Sequence, residues 1–171
     1  RGVRVLSAMG DEWEAQFALA GYSQLMLTSP LRSAKDYDGG PPLPAAPVAS
    51  LSASQVVNYA STLSTHLEAL QSHGTVVVAV DDVHKLDVES LRILMFVMRR
   101  LHGKRVLFLL TLNAADAPLM PAGVLDFLTG HQVLRIPLEP LSPPQVQEVA
   151  RRLFGLDLSM TAAHGLVRHT D

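Results

Sequence analysis

Cysteine is absent from the 171 residues. That excludes a disulfide framework and thiolate metal sites, and it fits a reducing cytoplasm. Aromatic residues are only 5% of the chain, and no apolar run approaches the roughly 18 residues that a membrane helix needs. A basic excess is missing too, since 14 Lys and Arg face 16 Asp and Glu for a net charge of -2. Phosphate backbones are gripped by clustered cations, so direct nucleic-acid binding by these residues is not expected. The Gly-x-Ser-x-Gly elbow of acyl-transfer enzymes does not occur. Seven histidines are present, but none shows the i, i+4 pairing with a nearby acid found in zinc hydrolases.

What is present is a core-rich composition, with 48% apolar and 18% charged residues. A chain of this length buries one domain, with room for a small appendage. It opens R-G-V-R-V-L without an initiator Met or a charged-then-apolar leader, and closes H-T-D directly after a helical pattern. Both ends are expected to be cuts from something larger.

Four stretches read as strands: residues 3–8, 75–80, 106–112 and 132–136. Helical spacing marks 17–27, with Phe17 leading its apolar residues. The segment 52–73 opens with the capping box Ser52-x-x-Gln55 and carries a stripe of Val56, Tyr59, Leu63, Leu67 and Leu70. Asp87 is a fair N-cap for a helix to about 101, and short helices follow at 119–128, 142–154 and 161–169. Ser142-Pro143-Pro144-Gln145 combines a capping serine with proline in the first helical turn. Between 29 and 50 lie five prolines around Gly39-Gly40, a loop or insertion in which 36–48 is expected to be the most mobile internal part. Strands alternating with amphipathic helices predict an α/β fold, a three-layer sandwich around a mostly parallel sheet.

Five apolar residues, Val76 to Val80, run directly into Asp81 and Asp82. In a parallel sheet covered by helices, ligands sit at the carboxyl ends of the strands. Two adjacent carboxylates there repel each other unless a cation or a water-filled cleft relieves them. In one division of labour the first acid holds Mg²⁺ through water and the second polarises a water for attack on a phosphate. The plain alternative is that one of them simply caps the turn into the next helix. The strand 106–112 ends in polar Thr111-Leu112-Asn113 at the corresponding level. Asn113 equally suits a loop amide that satisfies local backbone. Trp13, between Glu12 and Glu14, reads either as a partner contact or as a half-buried turn aromatic.

V-V-V-A-V-D-D-V-H-K-L-D-V-E-S-L resembles the Walker B strand and following helix of signal-transduction AAA-type ATPases, in particular those of large LuxR-family transcriptional regulators of bacteria. R-V-L-S-A-M-G-D-E-W-E-A is similar to the family's second strand and its G-D-E-x-E turn. V-L-F-L-L-T-L-N is similar to the sensor-1 strand, and L-E-P-L-S-P-P-Q-V to the lead-in of the small helical lid. The likeness spans nearly the whole chain, and the Walker B segment is its specific part. It implies ATP and Mg²⁺ as cofactors of the parent protein, with Asp81 as the metal acid, Asp82 as the catalytic acid beside the attacking water, and Asn113 as the nucleotide-sensing side chain. His84 matches the family's D-D-x-H. Lys85 departs from it, because an aromatic is usual there. The implied domains are an incomplete ATPase core over 1–138 and the beginning of the lid over 139–171. The implied strand order is 5-1-4-3-2, with 3–8 as strand 2, 75–80 as strand 3, 106–112 as strand 4 and 132–136 as strand 5.

The phosphate loop G-x-x-x-x-G-K-[S/T] occurs nowhere in the chain. Strand 1 and its loop are therefore expected outside it, leaving a gap beside strand 4 or its closure by another chain. Two functions compete: a regulatory ATPase domain whose nucleotide state controls a transcription regulator, and a non-catalytic NTPase-like interaction or scaffold domain. A helicase or transporter motor is a weaker third. On either leading reading the chain by itself is expected to be inactive on ATP, and its partners to be a second copy or other domains of the parent, with DNA bound by a separate helix-turn-helix.

Overall fold

A computed structural model of the protein describes residues 2–30, 50–101, 103–130 and 132–170. The chain divides into two compact units, residues 1–130 and 131–171. The segment 36–48, expected to be mobile, lies outside the described residues.

In the first unit, strands β1 (Val3–Met9), β2 (Thr75–Asp81) and β3 (Val106–Leu110) form a parallel sheet in that order. The register pairs Leu6 with Val78 and Val78 in turn with Phe108, and likewise Ala8 with Val80 and Val80 with Leu110. Parallel neighbours need crossovers, and helices α1 (Ala20–Thr28), α2 (Ala53–Gln71) and α3 (Val88–Arg100) lie between the strands, followed by α4 (Ala122–Leu128). The mixed α/β class with a parallel sheet is thus observed, and the three strands neighbour one another as the expected order requires.

Side chains alternate across a strand, so each strand splits between two faces. Leu6, Ala8, Val76, Val78 and Val80 share one face and join a single core with Leu63, Leu67 and Leu70 of α2 and Ile93, Leu94 and Val97 of α3. The opposite face carries Val5, Leu107 and Leu109, each more than half exposed, with Val3 and Met9 also open. Of the three layers expected, two are present among the described residues of this unit.

The expected strand at 132–136 does not form. Residues 132–141 are irregular, and Leu134 and Ile136 are 86% and 71% exposed. A strand exists only through its ladder, and apolar composition cannot supply a partner. The helix expected from residue 17 also starts later, at Ala20, with Phe17 exposed. Its start is set from a distance: Leu19 adopts a left-handed φ of 71°. The Leu19 and Gly21 N–H groups donate to Asp87 at 2.9 and 3.0 Å. Asp87 also caps its own helix through Ser90 N–H at 2.9 Å. One buried carboxylate therefore answers unpaired N–H groups of two helices. Beside it, Ser90 accepts from Tyr22 N–H, and Glu89 accepts from Leu51 N–H at 3.0 Å.

The capping box at Ser52 and Gln55 closes as the sequence indicates. In the second unit, α5 (Pro143–Phe154) packs on α6 (Met160–Thr170), with Ala150 and Ala163 buried. Ser142 N–H donates to Gln145 at 2.8 Å, and Gln147 ties the connecting turn by donating to the Leu158 carbonyl.

Candidate functional site

The carboxyl edge of the sheet gathers the ends of β1, β2 and β3. Gly10, just past β1, donates its N–H to the Asp81 carbonyl at 2.8 Å. A Cβ on Gly10 would stand 2.2 Å from the Asp82 carbonyl oxygen and 2.9 Å from Lys85 backbone carbon. Only glycine permits that approach. It locks the turn carrying Asp11 and Glu12 against the turn carrying Asp82 and Lys85.

Asp81 is the last residue of β2, and the Thr111 hydroxyl, immediately past β3, donates to its Oδ1. The same hydroxyl oxygen accepts the Asp82 N–H at 2.8 Å, and Val83 N–H donates to the Thr111 carbonyl at 2.9 Å. Thr111 is thus the residue that stitches the two strand ends together. The polar end of the 106–112 run was the signal for it. Asp82 takes a left-handed conformation, φ 48° and ψ 52°, which Asp tolerates better than most residues. It leads into a single 3-10 turn, Val83–Lys85. Lys85 Nζ lies 3.4 Å from Asp82 Oδ2 and 4.0 Å from Glu12 Oε1.

Asn113 lies beyond the same edge, and its carboxamide oxygen accepts from Ala115 N–H at 3.0 Å, closing a local turn. Asp81's side-chain partner is Thr111 rather than Asn113. His84 is 6% exposed in its side chain, and its Nε2 is 3.3 Å from Asp116 Oδ2. That is ion-pairing distance, yet neither ring nitrogen has a well-aligned hydrogen bond among the described residues. Trp13 stands 78% exposed beside Glu12, more open than a half-buried turn aromatic.

The donor set can be weighed against Mg²⁺. Among the described residues no group of three or more His, Cys, Asp or Glu side chains can hold a metal ion. One Asp81 oxygen is engaged by Thr111, and Asp82 is engaged by Lys85. These residues do not by themselves fit a resident Mg²⁺, which demands near-octahedral oxygen ligands. Elsewhere, His66 on α2 is buried and paired with Ser29 Oγ at 2.5 Å, and burial lowers its pKa from the usual 6.5.

Among the described residues no helix is long and apolar enough to cross a membrane. No family model, curated protein or solved structure matches the chain.

Proposed function

We propose that these residues are the Walker B side of a regulatory ATPase domain like that of LuxR-type transcription regulators, with nucleotide state controlling the parent's activity. The observation that carries the reading is the acid pair: Asp81 ends the central strand of a parallel sheet and Asp82 follows it, with a hydroxyl from the neighbouring strand end bonded to Asp81. In this reading Asp81 faces a metal carried by the nucleotide, Asp82 lies beside the attacking water, and Asn113 is on the sensor side. ATP binding then belongs to the parent, because these residues offer no Gly-rich loop and no P-loop Lys to cradle phosphates. The open apolar sheet face supports contact with other domains of the parent or a second copy.

A specific observation favours the second reading, a non-catalytic NTPase-like interaction domain. Lys85 already answers the Asp82 carboxylate, so nothing about the pair requires catalysis. Calorimetric titration separates the two. The 171-residue chain should take up no Mg-ATP at micromolar concentrations. The reading frame extended upstream through a G-x-x-x-x-G-K-[S/T] unit should bind it and lose binding on Asp81→Ala. Tight binding by the 171 residues overturns the expectation that the phosphate-binding unit lies outside them, and an extended protein without such a unit overturns the ATPase reading.

A further inference from the structure

We infer that Lys85 is the resident counter-cation of the carboxyl edge: its ammonium lies between Asp82 and Glu12 and answers these two carboxylates in place of a free divalent ion. The inference rests on reading Asp81 and Asp82 as the acids of an NTPase-like site, and it says what that site has become in this chain.

Three features of the backbone put the ammonium there. Residues three apart eclipse in a 3-10 turn, and Lys85 follows Asp82 by three across the turn Val83–Lys85. The left-handed conformation of Asp82 aims the chain into that turn at the strand tip. The close approach at Gly10 then presses the β1 turn onto it, which brings Glu12 to 4.0 Å from the same ammonium.

The other acids of the edge are answered by groups of the protein as well. Asp81 accepts from the Thr111 hydroxyl. Asp11 accepts from Trp13 and Glu14 N–H, and Glu14 from the Gln24 amide at 2.6 Å. Among the described residues Lys85 is the only Lys or Arg ion-paired with any of these five acids. Five carboxylates and one ammonium leave the edge negative, so it attracts cations in general. Hydrated Mg²⁺ gives up its water reluctantly, and here it meets a covalently tethered competitor within reach of both Asp82 and Glu12. Lys85 thereby disfavours a free divalent ion at the Asp82 and Glu12 carboxylates, leaving Asp81 to the Thr111 hydroxyl.

The test uses Mn²⁺ alone as the probe on the 171-residue chain, its single variants Lys85→Met and Asp82→Asn, and the double variant that combines them. Melting midpoints and quenching of Trp13, the one tryptophan, are read together. The midpoint of the unsubstituted protein should move by less than about 1 °C in millimolar Mn²⁺. That of Lys85→Met should rise by about 4 °C at tenfold saturation, as expected for one site on a chain this size. The double variant should lose the rise. Should Lys85→Met fold poorly by circular dichroism, Lys85→Gln replaces it. Mn²⁺ stabilisation of the unsubstituted protein that Asp82→Asn abolishes would overturn the inference, as would indifference of both Lys85 variants to Mn²⁺. Failure of Mg-ATP binding by the upstream-extended protein sinks the ATPase reading alone, because the Mn²⁺ titration needs no nucleotide.

Discussion

Replacing Asp87 by Ala should cost far more than an ordinary helix cap. The carboxylate is 3% exposed and accepts three backbone N–H bonds, from Leu19, Gly21 and Ser90, at 2.9 to 3.0 Å. A hydrogen bond to a charged acceptor contributes about 1.5–3 kcal/mol, and a buried donor left unpaired costs about 1–3 kcal/mol. The desolvation of the carboxylate in the native state offsets part of that sum. The net expected loss is about 3–5 kcal/mol, a large share of the roughly 5–15 kcal/mol that holds a domain together. Asp87→Ser isolates the long-range part: its short hydroxyl can still cap α3 but does not reach α1, so it should recover only about 1 kcal/mol over Ala. Urea unfolding followed by circular dichroism gives both values, and an unchanged m-value shows that the folded state is the one affected. If Asp87→Ala costs only about 1 kcal/mol, the bonds to Leu19 and Gly21 contribute nothing net. The account of where α1 begins would then be wrong.

Gly10→Ala pushes a Cβ into the Asp82 carbonyl and should destabilise by about 1–3 kcal/mol; a denaturation midpoint equal to that of the unsubstituted protein would contradict the locked edge. His66 has its folded pKa depressed by burial, so the unfolded chain binds the proton more readily. Its stabilising contribution is therefore complete above the usual 6.5 and is lost as pH falls below it. The urea midpoint should drop between about pH 7.5 and pH 5.5 by more than it does in His66→Gln, and equal drops would refute this. On the proposal that the open sheet face contacts a second copy or other domains, Leu107→Lys should lower any concentration-dependent association seen in sedimentation velocity, and an unchanged profile would remove that face from the contact.

Local rules made much of the fold legible. The apolar run ending in Asp81-Asp82 marked the central strand of the observed sheet, and alternation with helices marked the sheet as parallel. The Ser52 capping box and the Asp87 cap were readable because each joins groups three residues apart. Three-dimensional proximity decided the rest. Asp87 reaches Leu19 across 68 residues, and Thr111 reaches Asp81 across 30. No periodicity encodes either contact. Lys85 read only as a departure from a pattern until the packing at Gly10 brought Glu12 beside its ammonium. Residues 132–136 had strand composition but no ladder, since a strand's stability lies in the chain beside it. The same limit explains the open face at Val5, Leu107 and Leu109. Sequence determines that a side chain is apolar and which way it alternates, but only the tertiary structure decides whether anything covers it.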